Sequence, residues 1–239
     1  MPLEEIINRQ GIIISAPASG AGKTTVTLGL INAFARKGSV QPFKSGPDYI
    51  DSKFQSVAAD RPSYNLDTWA MSSSDILNMI GMVGPSDICI AEGSMGLFDG
   101  VISKGAGGNG STADLASITN WPVILVVDCA KQAQSVAALI TGFSSFRHDI
   151  TIGGVILNNI SSKRHEALVV SEVSKTKVPI LGVIPRSNEL TIPERHLGLV
   201  QAEDLSDLEQ LIFKLGKLIE ENCDLEAIAC TARNSSSPI

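Results

Sequence analysis

Short apolar runs rich in Ile and Val recur along this chain of 239 residues, and they restrict its fold more than any other feature. Most of them stay apolar at every position instead of alternating with polar residues. This pattern is typical of strands whose two faces are both buried, as in parallel sheets. The runs lie at residues 11–16, 87–91, 123–127, 152–157 and 180–184, with a weaker candidate at 40–43.

Helix-like stretches separate these runs, so strand and helix alternate along the whole chain. The alternation predicts the α/β class, with a mainly parallel sheet, helices on both faces and right-handed crossovers. Ligands of open parallel sheets bind at the carboxyl ends of the strands, so functional residues should follow the runs. The predicted helices lie at residues 23–37, 74–82, 113–119, 134–146, 163–176 and 204–221.

Composition argues against several classes of protein. The net charge of −6 and the 5% aromatic content are unlike those of a nucleic-acid binder, and the charge is also unlike that of a protein of anionic membranes. No apolar run reaches the ~18 residues of a transmembrane helix. The four cysteines form no Cys-x-x-Cys pair, which favours reduced thiols. We therefore expect a cytoplasmic protein without nucleic-acid or membrane partners.

The segment after the first run, APASGAGKTT at residues 16–25, has the order of a P-loop: strand, Gly-containing loop, Lys-Thr, helix. Small residues let backbone N–H groups face phosphate oxygens, and the helix N-terminus adds positive potential. Lys23 would reach the β- and γ-phosphates and Thr24 would bind Mg²⁺. Pro17 stands where the usual pattern has its first Gly. The predicted phosphate-binding residues are Ser19, Gly20, Ala21, Gly22, Lys23, Thr24 and Thr25.

Two further strand ends carry charged side chains that would face this loop. Lys44 ends the weaker run and could meet a transferring phosphoryl group. Asp48 and Asp51 follow in a Gly-Pro-Asp turn, where one could bind Mg²⁺ and the other substrate, or Asp48 could cap the next short helix. Glu92 ends the third run at the position of a Walker B carboxylate, which holds Mg²⁺ directly or through water. Asp99 is a second carboxylate in the same segment.

Polar residues also end the later runs, namely Asp128 after residue 127 and the pair Asn158 and Asn159. An Asn amide can pair with the adenine edge because it has both a donor and an acceptor. A capping or turn role is the alternative at each of these positions.

A set of segments in chain order resembles the ATP-dependent amidoligase domain of the cobyrinic acid a,c-diamide synthases, a family of cobalamin biosynthesis. The resemblance runs from about residue 11 to residue 200 and implies a P-loop NTPase fold of the dethiobiotin synthetase kind. The segments are APASGAGKTTVTLGL, QPFKSGPDYID, RPSYNLDTW, AEGSMGLFDG, VILVVDCAKQAQSVAALITGF, GVILNNI and IPERHLGL.

The resemblance implies a ligase that uses ATP and Mg²⁺ on a corrinoid tetrapyrrole. The γ-phosphate would activate carboxylates a and c, and ammonia would displace phosphate to leave amides. Phosphoryl transfer depends on charge neutralisation and positioning, which suits the lysines and carboxylates above. The resemblance places Lys23, Lys44, Asp48 and Glu92 in catalysis, Thr24, Asp48 and Glu92 at the metal, Tyr49, Asp51 and Asp99 at the substrate, and Asn158 at adenine.

The family's proteins usually continue into a glutaminase domain that releases ammonia with a Cys nucleophile. No Cys of this sequence lies in a Gly-rich elbow, so ammonia is expected from a glutaminase domain of the full-length enzyme or of a separate chain. We predict an ATP-binding amidoligase domain at residues 1–222 and a tail or truncated linker at 223–239. Glu194, Arg195 and His196 belong to a family-like motif without an assigned role.

Several alternatives stay open. Ni-sirohydrochlorin or hydrogenobyrinic acid a,c-diamide synthases would carry nearly the same motifs. Dethiobiotin synthetase matches the length, but the KSGPDYID and PERHLGL segments argue against it. A ParA- or MinD-like ATPase switch would have a second Lys where Ala18 stands. A homodimer is a further arrangement that the sequence leaves open.

Overall fold

The sheet is parallel, as the apolar runs predict. A computed structural model describes residues 9–187 and 207–234. Within these residues seven strands form one sheet in the order β3-β2-β4-β1-β5-β6-β7, and every pairing is parallel. The strands are β1 (Gly11–Ser15), β2 (Val40–Ser45), β3 (Tyr64–Leu66), β4 (Ile88–Glu92), β5 (Val123–Asp128), β6 (Ile152–Ile160) and β7 (Ile180–Pro185).

Helices cover both faces of the sheet, because successive residues of a buried strand point to opposite sides. The described helices are α1 (Lys23–Ala35), α2 (Tyr49–Ala59), α3 (Ser73–Met82), α4 (Thr112–Thr119), α5 (Val136–Ser145), α6 (Lys163–Val173), α7 (Leu208–Asn222) and α8 (Leu225–Asn234). Ile12 and Ile14 of β1 pack with α1, α2, α7 and α8 on one face of the sheet. Ile13 packs with α3, α4, α5 and α6 on the other face.

The segment after residue 222 differs from the tail that the sequence predicts. Leu225–Asn234 forms α8, and its Ile228 and Ala232 are buried in the same core as α1 and α7. The two side chains are four residues apart, so they lie on one face of the helix and pack together. The expectation of a tail is therefore wrong for residues 225–234, while the division of the chain into an amidoligase domain and a linker stays a prediction.

The family-like motif with Glu194, Arg195 and His196 lies outside the described residues. Among the residues that are described, no helix is both long and apolar enough to cross a membrane.

The four cysteines differ in accessibility, and none of them is in a disulfide. Burial raises the pKa of Cys223 to about 12. Burial, with a smaller contribution from the charge of Asp128, raises the pKa of Cys129 to about 12, and burial also raises that of Cys89. Cys230 is exposed.

We expect iodoacetamide at pH 8 to alkylate Cys230 first in the native chain, as peptide mass spectrometry would show. A thiol with a pKa near 12 is only about 0.01% thiolate at that pH, and the thiolate is the nucleophile. Denatured protein is the control, in which all four thiols should react at similar rates. Equal labelling of Cys129 or Cys223 in the native chain would contradict the described burial.

Candidate functional site

The loop between β1 and α1 has the backbone shape that its glycines predict. Gly20 and Gly22 have φ values of 78° and 89°, in the left-handed region that glycine favours. A Cβ atom at Gly22 would lie 2.3 Å from Nδ2 of Asn158. Gly22 is also the N-cap of α1, so the helix begins directly at Lys23. The loop therefore presents a helix N-terminus at the carboxyl end of β1.

Glu92 lies at the centre of this edge, on the last residue of β4. It pairs with Ile14 of β1 on one side and with Lys44 of β2 on the other. Its carboxylate is 1% exposed, and Oε1 accepts a hydrogen bond of 2.6 Å from Oγ1 of Thr24. Glu92 and Thr24 are thus brought together as the Walker B and P-loop interpretations predict.

Lys23 is 9% exposed at the first position of α1. Burial lowers the pKa of its ammonium group, and the charge of Lys44 acts in the same direction. The negative charges of Glu92, Asp51 and Asp99 oppose this shift. Four of the charged residues singled out in the sequence are therefore close enough to act on Lys23.

Lys44 is held by the segment that follows β4. Its Nζ donates hydrogen bonds to the carbonyl oxygen of Gly93 at 3.2 Å and to Oγ of Ser94 at 3.3 Å. The Nζ atom also lies 4.0 Å from Oδ2 of Asp51, and Lys44 is 3% exposed. The ammonium group is thus fixed in a buried position between the ends of β2 and β4.

Asp48 caps α2, so the capping alternative is confirmed. Its Oδ1 accepts hydrogen bonds of 3.0 Å from the backbone N–H groups of Ile50 and Asp51. Burial by itself would raise the pKa of this carboxyl group. The hydrogen bond from Asp51 N–H, the charge of Lys44 and the Ile50 N–H outweigh that effect and lower the pKa. Asp48 therefore stays ionised, and a role in metal binding remains a prediction.

The other predicted site residues take varied positions. Oδ2 of Asp99 accepts a 2.8 Å hydrogen bond from Gly96 N–H and closes a turn of the segment after β4. Tyr49, the first residue of α2, is 68% exposed. Nδ2 of Asn158 donates to the Ala21 carbonyl oxygen at 3.0 Å, so this amide supports the P-loop backbone. The polar pair Asp128 and Asn159 bond to each other at 2.8 Å.

One residue that the sequence did not single out lies at the centre of the site. Gln55 of α2 is 0% exposed, and its Nε2 donates to Oε2 of Glu92 at 2.7 Å. The apolar spacing of Ile50, Phe54 and Ala58 could have indicated the helix that carries it. Nothing in the sequence indicates the contact with Glu92, which depends on how α2 crosses the sheet.

Comparison with known proteins agrees with this geometry. Residues 12–200 match the family described as "CobQ/CobB/MinD/ParA nucleotide binding domain". The chain belongs to this family. The match covers most of β1, the P-loop and the segments that carry Lys44, Asp48 and Glu92.

Relatives of this nucleotide-binding family member include two proteins named hydrogenobyrinate a,c-diamide synthase. The one from Rhodobacter capsulatus is 45% identical over 230 residues, which is 96% of this chain and 53% of the relative. The one from Brucella anthropi is 47% identical over 222 residues, 92% of this chain and 50% of the relative. The predicted resemblance to a,c-diamide synthases is confirmed. The chain spans about half the length of these relatives.

Solved structures support the fold of this family member. A crystal structure of FlhF complexed with GMPPNP and Mg²⁺ has a TM-score of 0.51 and 14% sequence identity. The similarity covers 78% of this chain and 73% of FlhF. It agrees with the predicted α/β P-loop NTPase fold.

Proposed function

We propose that this chain binds Mg-ATP and forms amides at the a and c carboxylates of a corrinoid. The observation that carries the proposal is the 45–48% identity, over most of the chain, to relatives named hydrogenobyrinate a,c-diamide synthase. The hydrogen bond between Thr24 and Glu92 supports it, because it joins the P-loop hydroxyl to the strand-end carboxylate that a nucleotide-bound metal needs.

The oxygen ligands at this edge of the sheet fit Mg²⁺ bound to a nucleotide. Magnesium prefers oxygen ligands and is usually held by one or two carboxylates together with substrate phosphates and water. Thr24 and Glu92 supply a hydroxyl and a carboxylate, with Asp48 as a further candidate. The described ranges contain no group of three or more His, Cys, Asp and Glu side chains arranged to hold a metal. When bound, Mg²⁺ would neutralise charge on the β- and γ-phosphates.

Each of the two amides requires two displacements. A carboxylate oxygen of the substrate forms a bond to the γ-phosphorus while the bond to ADP breaks. Ammonia then attacks the acyl carbon, inorganic phosphate leaves and a proton is lost from nitrogen. Lys23 and Lys44 offset the charge of the transferring phosphoryl group, and Asp51, Asp99 and Tyr49 contact the substrate. The buried positions of both lysines strengthen these interactions, because water screens them poorly there.

The nucleotide base would lie near the ends of β5 and β6. In this proposal Asn158 contributes to adenine binding, since its Oδ1 remains as an acceptor while Nδ2 contacts the Ala21 carbonyl oxygen. Its contact with the loop also fixes the position of that loop relative to the base.

Exposed apolar side chains near the same edge suit a large, flat macrocycle. Trp69 follows β3 and is 49% exposed, and Ile102 follows the turn closed by Asp99 and is fully exposed. The Gly-rich segment between residues 103 and 110 is fastened to the Trp69 turn, because Ala106 N–H donates to the Trp69 carbonyl oxygen at 2.8 Å. Gly107 N–H likewise donates to the Thr68 carbonyl oxygen at 3.0 Å. In this proposal Trp69 and Ile102 contact the macrocycle.

The test is amidation by the purified 239-residue chain with Mg-ATP and ammonium chloride. We expect mass spectrometry to detect a monoamide and then a diamide of cobyrinic acid or of hydrogenobyrinic acid. Comparing rates for the two corrinoids, and for Ni-sirohydrochlorin, would identify the preferred tetrapyrrole. The names of the relatives favour hydrogenobyrinic acid over the predicted cobyrinic acid.

Two controls accompany this assay. Glutamine in place of ammonium should give no amide, because none of the four cysteines of this sequence lies in the Gly-rich elbow that carries a glutaminase nucleophile. Glu92→Gln should remove turnover while the chain stays folded. Carboxylation of diaminopelargonate would instead support dethiobiotin synthetase, and ATP-dependent binding to DNA or lipid would support a ParA- or MinD-like switch.

A further inference from the structure

The Glu92 carboxylate is held on both of its oxygens. Oε1 accepts from Thr24 at 2.6 Å, and Oε2 accepts from Nε2 of Gln55 at 2.7 Å. Glu92 and Gln55 are almost completely buried, at 1% and 0% exposure. A buried carboxylate with a donor on each oxygen has a defined orientation, since rotation would break at least one short hydrogen bond.

The amide of Gln55 is itself oriented from behind. Its Oε1 accepts a hydrogen bond of 2.8 Å from Oγ of Ser63, just before β3. Ser63 is fixed in turn, because its N–H donates to Oγ of Ser56 at 2.9 Å. A carboxylate accepts only, so Nε2 must face Glu92 and Oε1 must face Ser63. The chain of contacts therefore runs from Ser63 through Gln55 to Glu92 and Thr24.

The role of Gln55 is not explained by packing. α2 already buries Phe54 and Ala58 in the core, and Asp48 caps its first turn. A fully buried amide costs free energy unless its polar atoms are hydrogen-bonded, so an apolar side chain of similar length would pack as well. Gln55 supplies an uncharged donor on the oxygen of Glu92 that Thr24 does not contact.

We propose that Gln55 is a positioning residue that orients the Glu92 carboxylate for a nucleotide-bound Mg²⁺. The inference rests on the proposed magnesium role of Glu92, and Gln55 itself contacts no reacting atom. Thr24 would bind the metal through its hydroxyl oxygen, and Gln55 would hold the Glu92 carboxylate from its other oxygen. Partners of this kind behind a metal ligand typically change metal affinity by about 10–100-fold when removed.

The test is Gln55→Met, which preserves length and removes both polar atoms. The affinity of purified protein for the ATP analogue AMPPNP would be measured by calorimetry over a Mg²⁺ titration and again in EDTA. We expect the Mg²⁺ concentration for half-saturation to rise by about 10–100-fold, with the affinity in EDTA unchanged. Ser63→Ala leaves the Gln55–Glu92 contact but frees the amide to turn, so it should shift the half-saturation in the same direction by a smaller factor.

Gln41→Met is the matched control. Gln41 is a second buried glutamine, and its Nε2 donates to the carbonyl oxygens of Pro42 and Pro62, away from Glu92. It should lower the melting temperature without moving the Mg²⁺ half-saturation. The proposal would be overturned if the Gln41 and Gln55 variants shifted the Mg²⁺ half-saturation equally. It would also be overturned if neither the Gln55 variant nor the Ser63 variant shifted it.

The assay contains no corrinoid, so its outcome does not depend on the amidation reaction. If the AMPPNP affinity of the wild-type chain does not depend on Mg²⁺, the magnesium role of Glu92 is overturned, and this inference with it. A normal Mg²⁺ response without corrinoid amidation would overturn only the substrate part of the proposed function.

Discussion

Lys23→Met is expected to lower ATP-dependent turnover by about 10²–10³-fold and at the same time to stabilise the nucleotide-free fold. Removing a charge that stabilises a transition state typically costs about 10²–10³-fold in kcat. The folded chain, however, disfavours the Lys23 ammonium, because burial lowers its pKa. Met fills similar space without that cost. An active site that carries such a charge gives up stability for function.

Steady-state ATP hydrolysis and thermal unfolding in EDTA would measure the two effects. Lys37→Met is the control, since Lys37 is exposed after the same helix and should change neither quantity. The melting temperature of the Lys23 variant should rise by about 2–4 °C for each kcal/mol gained. A Lys23→Met variant that is inactive and also melts well below wild type would contradict the inference that the folded chain disfavours the buried Lys23 charge.

The stability gained by Lys23→Met should depend on pH with a defined sign. Between the lowered folded-state pKa and the ordinary value of 10.5, the unfolded chain binds more protons than the folded chain. The stability of wild type, relative to the variant, therefore rises with pH in that window. The difference in free energy of unfolding between the two proteins is largest below the lowered pKa of Lys23 and disappears as pH approaches 10.5. Urea unfolding of both proteins in EDTA at several pH values would measure it.

Gly22→Ala is expected to have the largest effect on the P-loop itself. An alanine here would have to adopt the left-handed backbone of Gly22, which residues with a Cβ disfavour. Its Cβ would also lie 2.3 Å from Nδ2 of Asn158. Gly20→Ala is a close control, because Gly20 has a similar φ of 78° but no atom within 4 Å of the added Cβ. The control should lose about 1–2 kcal/mol for the backbone alone. Gly22→Ala should lose a further 1–3 kcal/mol, roughly the cost of overpacking.

Urea unfolding without nucleotide would measure the difference. Calorimetry with AMPPNP should show weaker binding for Gly22→Ala than for Gly20→Ala, because the displaced loop would no longer direct its backbone N–H groups at the phosphates. Asn158→Ala in the Gly22→Ala background removes the side chain that the Cβ meets. That double variant should recover part of the lost stability. Equal losses for the Gly20 and Gly22 variants would show that the Asn158 contact is unimportant.

Six of the seven described strands are predictable from the sequence, for a physical reason. A strand buried on both faces must be apolar throughout, so the runs at β1, β4 and β5 are visible without any partner. β3 is only three residues long and lies at the sheet edge, where Tyr64 pairs with Phe43 of β2. Its pairing depends on the neighbouring strand and leaves no apolar run in the sequence.

The site residues also differ in whether the sequence alone reveals them or whether they depend on neighbouring elements. Glu92 and Thr24 are predictable because each follows a recognisable strand, and parallel strands bring their carboxyl ends to one edge. Asp48 fits either a cap or a ligand in sequence, and only the position of α2 shows that it caps. Gln55 has no motif at all, since an uncharged residue in mid-helix acquires its role from the carboxylate that the sheet places beside it.

The position of β4 between β1 and β2 bears on how the protein is made. The first two strands of the sheet leave the ribosome with their shared neighbour still to be synthesised, and that neighbour brings Glu92. Domains generally fold as units during synthesis, and distant parallel pairings form slowly. A nascent chain that ends before β4 thus has a P-loop sequence but neither the strand between β1 and β2 nor the carboxylate that meets Thr24. Nucleotide binding by nascent chains of increasing length would therefore begin only after β4 has emerged, which makes it a marker for completion of the sheet centre.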